Sequence, residues 1–179
     1  MITATPVGRR HPVVGVRRCA PRLASPAPAE LLAVAEGLVD RARRWSGTVG
    51  ITTRSWSLLA ASDTFEAWVI GWPPGGTIAL HDHGHSAAAV VVAAGELVET
   101  NVAPRSDGAV TTVTRRMPTG SSWKMASRHV HDIVNDGPTP AVSVHVYAPR
   151  LTSMTNYRLV DGVLQPEKTV HYRLGDVVA

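Results

Sequence analysis

The sequence predicts a mainly β domain, a small antiparallel barrel of jelly-roll type led by a single helix. Three observations predict it. From residue 47 onward short β-branched and aromatic runs recur, at 49–59, 64–72, 77–81, 87–94, 96–103, 109–116, 121–125, 129–134, 141–148 and 168–173. Turn formers separate them, as in Pro73-Pro74-Gly75-Gly76, Pro118-Thr119-Gly120, Asn135-Asp136-Gly137-Pro138 and Asp161-Gly162. Only one stretch, in front of the runs, has helical spacing. Many short strands punctuated in this way point to a closed or nearly closed antiparallel barrel. No internal repeat suggests a solenoid or propeller.

Residues 1–28 are rich in Pro, Arg and Ala and end in Pro26-Ala27-Pro28, which reads as an irregular tail. Residues 29–179 read as one domain, since a chain of 179 residues suffices for one sizeable core but not for two. Between 29 and 45 the apolar positions Leu31, Val34, Ala35, Leu38, Val39, Ala42 and Trp45 follow the 3.6-residue period. Glu30 in the first turn and Arg41, Arg43 and Arg44 in the last match the helix dipole. The longest apolar run, Ala87 to Ala94, reads as a buried strand. It falls well short of the ~20 residues a membrane-spanning helix needs.

The net charge is +4, but five of the 18 basic side chains and none of the 14 acidic ones lie in residues 1–28. The domain that follows is nearly neutral and has no basic bias toward phosphate, so nucleic acid is not expected as a partner. Cys19 is the only cysteine, which rules out an intrachain disulfide and suits a reducing, cytoplasmic setting. No continuous apolar segment follows the leading arginines as a secretory signal would require. The chain is expected to act as a monomer, without a membrane partner.

The most informative stretch is His81-Asp82-His83-Gly84-His85-Ser86, directly before the Ala87 to Ala94 run. On an extended chain, residues i and i+2 share a face, so His81 and His83 can chelate one ion. Gly75 precedes His81 by five intervening residues and Gly95 closes the following strand; Pro118-Thr119-Gly120 and His131-Asp132-Ile133-Val134-Asn135 come later. These two spaced motifs resemble those of the cupin superfamily, in which histidines from both converge on one metal inside a small β-barrel. The resemblance implies His81, His83 and His131 as ligands. Most cupins add a glutamate four or five residues after the second histidine, where this chain has Ala87 and Ala88. Three neutral imidazoles leave a divalent ion its full charge and open positions, which favours an anionic ligand such as a thiolate. Imidazole ligation suits iron, zinc, copper or nickel.

A three-histidine cupin with this context is similar to the thiol dioxygenases, the cysteine dioxygenase family in particular, over roughly residues 48–160. The similarity rests on the His81 and His131 motifs, on Gly95-Glu96-Leu97-Val98-Glu99-Thr100, on Thr52-Thr53-Arg54, and on Ala141 to Pro149. Within the last piece, Ser143, His145 and Tyr147 alternate and so face one way from a strand. A hydroxyl, an imidazole and a phenol in file can form a hydrogen-bond relay. The resemblance implies Fe(II) as cofactor, and L-cysteine and O2 as substrates giving cysteine sulfinic acid. It also implies Ser143, His145 and Tyr147 as the catalytic relay, with Tyr147 touching the substrate. Arg54 would pair with the substrate carboxylate, for which a guanidinium fork is well shaped. Animal enzymes of this family cross-link that tyrosine to a cysteine; Ala88 stands at the matching position, so no cross-link can form.

Two other readings remain. One keeps the chemistry and changes the thiol to 3-mercaptopropionate, whose dioxygenase carries glutamine in place of Arg54. The other is a non-catalytic cupin that binds a metal or small ligand. Trp56, Trp68, Trp72 and Trp123 read as packing residues and Met154 as core or pocket lining. His85 and His129, each two residues from a proposed ligand, read as rim residues.

Overall fold

The structure, a computed structural model, describes residues 28–45, 53–106 and 108–172. The expected irregular tail lies outside these residues, apart from Pro28, and so do positions 49–52 of the first expected strand.

The leading segment is helical, but as two pieces, α1 (Pro28–Gly37) and α2 (Val39–Trp45). The break falls at Leu38, just after Gly37, a weak helix former. The amide of Leu38 bonds back only three residues, to the Ala35 carbonyl.

Among the described residues eleven strands follow: β1 (Ser55–Ala61), β2 (Glu66–Trp72), β3 (Thr77–His81), β4 (Ala87–Ala94), β5 (Glu96–Pro104), β6 (Val110–Pro118), β7 (Ser122–Met125), β8 (Val130–Val134), β9 (Ala141–Ala148), β10 (Ser153–Val160) and β11 (Val163–His171). They form two antiparallel sheets, ordered β1-β2-β9-β4-β7 and β11-β10-β3-β8-β5-β6. This is the expected jelly-roll architecture; among the described residues the two sheets face each other as a sandwich and do not close into one barrel. The recurring sequence runs miss β10 and start β11 too late, at 168. β10 carries Thr155, Asn156 and Arg158, and only Met154 in it is fully buried, so its hydrophobic pattern is faint. The Asp161-Gly162 turn, with both residues at positive φ, closes it onto β11 as a hairpin.

The centre of the five-stranded sheet is buried on both faces, which accounts for the unbroken apolar run of β4. Ala88, Val90 and Val92 point into the sandwich among Trp68, Trp72 and Leu97. Ala89, Val91 and Ala93 point outward beneath Leu31, Ala35 and Ala42 of the helices. All eight residues of β9 are buried for the same reason. Two helical arginines tie the helices to the sheet, Arg41 donating to the Leu59 carbonyl at 2.8 Å and Arg43 to that of Ala93 at 3.1 Å. Gly95 makes the tight passage from β4 to β5. Its φ is +75°, and a Cβ there would lie 2.8 Å from Ala141, so only glycine fits.

Candidate metal centre

His81 is the last residue of β3 and stands opposite His131 of β8 in the ladder. His83 is not on the strand. Residues 82–86 carry the chain from the six-stranded sheet across to β4 in the other, and His83 sits at this crossing. The two imidazoles of the His-x-His pair still meet, because the crossing is pinned. Asp82, the buried residue that separates them in sequence, accepts from the amides of Gly84 (3.0 Å) and Thr155 (3.1 Å) and from the Tyr157 hydroxyl (2.8 Å). The Ser86 amide closes a turn on the His83 carbonyl. Gly84 turns there with φ +56°, and a Cβ would press on Ser153.

The three rings lie with centroids 4.7 to 5.2 Å apart, and one nitrogen from each falls within 4.8 Å of the others. Nε2 of His81 is 3.2 Å from Nε2 of His83. Two nitrogens each about 2.0–2.1 Å from a common ion would stand roughly 3 Å apart. Nε2 of His131 is buried with no hydrogen-bond partner, as a lone pair reserved for a metal would be. Burial drives the His81 imidazole down to about 4 and those of His83 and His131 well below their ordinary value. All three are thus neutral near pH 7, the form that coordinates. A divalent ion therefore fits this donor set. Ala87 and Ala88 supply no carboxylate, and Ala88 lies directly opposite Tyr147 in the β4–β9 ladder.

The backing of the three imidazoles differs. Nδ1 of His81 faces the Ala79 carbonyl at 2.8 Å, Nδ1 of His131 faces Glu99 at 2.8 Å, and Nδ1 of His83 has no partner. Glu99, fully buried on β5, is one residue the sequence reading did not single out. Its signal is an acid at the same strand parity as the core residue Leu97, with an arginine, Arg115, opposite it across the β5–β6 hairpin.

On the facing sheet, Ser143, His145 and Tyr147 line the inner side of β9 in the file the sequence suggests. Ser143 Oγ is 2.8 Å from Nε2 of His145, and Nδ1 of His145 is 3.3 Å from the Tyr147 hydroxyl. The Tyr147 ring stands edge-on to His83 with centroids 4.9 Å apart. Burial lowers the His145 imidazole to about 3 and raises the Tyr147 phenol, so both stay neutral. Trp72, expected only to pack, donates its indole N–H to Ser143 at 2.8 Å. An indole can only donate, so it anchors the closed end of the file.

Arg54 precedes β1, partly buried. Its guanidinium lies 5.7 Å from the Trp56 ring centre and 5.4 Å from that of Trp72, and it donates to the Thr77 carbonyl at 3.3 Å. Desolvation lowers its pKa, while Tyr147 and Tyr172 act electrostatically in the opposite sense. Arg54 and Tyr147 are thus within electrostatic reach of each other. Met154 is buried in the core, where the Tyr172 hydroxyl reaches its sulfur at 3.8 Å. His85 is exposed, and His129 bonds to Asn101 rather than joining the three nitrogens. A cleft of roughly 360 Å³ beside His129, lined by Val102, Val110 and Leu164 among others, touches neither His83 nor Tyr147.

A family model described as cysteine dioxygenase type I matches residues 31–159. None of the curated proteins matches the sequence. Among solved structures, the protein TT1209 from Thermus thermophilus is 19% identical, with a TM-score of 0.47 over 56% of this chain and 88% of its own. A double-stranded β-helix protein from Klebsiella pneumoniae subsp. pneumoniae is 23% identical, with a TM-score of 0.48 over 62% and 81%. An oxalate oxidase bound to glycolate is 19% identical, with a TM-score of 0.49 over 56% and 54%, so the chain spans about half of that enzyme.

Proposed function

The chain belongs to the cysteine dioxygenase type I family, and on that premise we propose that it is a non-haem iron thiol dioxygenase oxidising L-cysteine to cysteine sulfinic acid. His81, His83 and His131 would hold Fe(II). The metal, when bound, supplies the redox chemistry that joins a thiolate to O2. Both oxygen atoms go to sulfur, and the electrons that reduce them come from that sulfur, so no outside reductant is needed.

The protein's own groups bind and orient. Arg54 pairs its guanidinium with the substrate carboxylate, and stacking against Trp56 and Trp72 holds the fork in place. Tyr147 directs its hydroxyl toward the reacting atoms, while His145 and Ser143 fix its position. The walls around them, Trp68, Leu151 and Met154, exclude water. The observation that carries the reading is the hydrogen-bonded file ending at Tyr147, whose ring touches a proposed metal ligand. A passive metal-binding cupin has no use for such a file. The same reading has the chain work in the cytoplasm as a monomer, with a small thiol and oxygen as its partners and no nucleic acid. No helix among the described residues is long and apolar enough to cross a membrane.

The test is oxygen uptake by iron-loaded protein. Oxygen should be consumed in step with loss of L-cysteine, and faster than with 3-mercaptopropionate at equal concentration. Reversal of that preference would move the substrate to 3-mercaptopropionate. Failure to oxidise any small thiol would remove the enzyme reading and leave the binding one.

A further inference from the structure

We propose that Glu99 is a positioning residue for the metal, supplying from behind His131 the negative charge that Ala87 and Ala88 withhold from the ion itself. The inference rests on the metal-binding part of the proposed function and not on the substrate.

Glu99 has no exposed surface. Its Oε1 is 2.8 Å from Nδ1 of His131. Its Oε2 accepts from Nε of Arg115 at 2.7 Å and from the Asn101 amide at 3.0 Å, and a second guanidinium nitrogen of Arg115 stands 2.5 Å away in the same ion pair. A carboxylate in an ion pair accepts and does not donate, and the Arg115 and Asn101 donors on Oε2 fix its orientation, with Oε1 turned to His131. His131 must therefore donate through Nδ1, which leaves the lone pair on Nε2. That is the buried nitrogen with no partner, turned toward His81 and His83. Glu99 thus selects the coordinating tautomer before any ion arrives.

The three ligands are consequently unequal. A carboxylate behind an imidazole makes it a stronger donor than a carbonyl does, so His131 outranks His81, and His83 has no such support. Arg115 is itself held in place, its guanidinium 5.5 Å from the centre of the Trp123 ring. The register explains how the group assembles. Glu99 faces Arg115 across β5–β6, and Asn101 faces His131 across β5–β8, so Glu99 and His131 are diagonal neighbours.

The test measures zinc affinity of the metal-free full chain by competition with a chelator, beside the ¹⁵N signature of the His131 ring. In the parent protein Nδ1 should carry the proton and Nε2 none. Glu99→Gln should weaken zinc binding by about 10–100-fold, and Glu99→Asp, which keeps the charge, should recover part of the loss. A proton on Nε2 of the parent would overturn the inference, and so would equal affinity in Glu99→Gln. If that variant fails to fold, the parent's ring signature decides. Parent protein that takes up no zinc or iron overturns both this inference and the three-histidine reading. Metal uptake with the expected ring signature but no thiol oxidation removes only the proposed reaction.

Discussion

The two faces of β9 make opposite use of the same strand. Outward, Val142, Val144 and Val146 meet Leu31, Ala35 and Ala42 in a layer of pure hydrocarbon. Inward, Ser143, His145 and Tyr147 carry hydrogen bonds toward the histidines. Stability is concentrated on the first face, where burial is non-directional and nothing needs a partner. The second face is polar and buried, so each of its atoms needs a specific partner or a ligand. Under the proposed function, the helices let the inner face be given to chemistry. The sheet is anchored from behind, while on its front the polar groups of β9 stand among the aromatic core residues Trp68 and Trp72.

The strongest way to break this division is to cut the outer layer. Leu31 has no exposed surface, and Leu31→Ala should cost about 2–5 kcal/mol of folding stability. Denaturant melts should record that loss, while metal content and turnover of the folded fraction remain at parent levels. A variant that lost metal in proportion to its stability would mean that the two faces are coupled.

The inner face should show itself in acid. An unfolded histidine gains its proton near its ordinary value of 6.5, whereas buried His81 resists until about 4. Between those values the unfolded chain binds more protons, so stability falls as pH falls through the window. For His81 alone the loss is on the order of 3 kcal/mol, and His145, held to about 3, adds in the same direction. Thermal melts of metal-free protein at stepped pH should decline from about pH 6.5 downward. A flat profile there would mean that these imidazoles are solvated.

Much of this division was legible in the sequence, and unevenly so. His81, His83 and His131 stood out because two spaced motifs had to agree, and the Ser143, His145 and Tyr147 file followed from period-two alternation. The apolar run of β4 was visible, but not that helices cover one side of it. β10 escaped because its polar residues give a weak pattern, although it secures Asp82 and so the crossing that carries His83. Glu99 and Trp72 escaped for a different reason. Their roles depend on partners in other strands, His131 at a separation of 32 residues and Ser143 at 71, and no local period encodes such pairings.

Two adjacent residues offer the finest comparison. Val146 points to the helices and Tyr147 to the histidines, a single step apart on β9. Tyr147→Phe removes one hydroxyl and keeps the ring that stands against His83. Under the proposed function, the loss of a hydrogen bond to a charged group, about 1.5–3 kcal/mol, should lower turnover roughly 10–100-fold. Iron content should be unchanged, since the hydroxyl bonds His145 and not the three histidines. Val146→Ala should do the reverse, lowering the melting temperature while sparing turnover per folded molecule. Rate and iron assays on the pair decide the matter. If Tyr147→Phe keeps both full turnover and full iron, the relay has no part in the chemistry, and the inner face of β9 is as structural as the outer one.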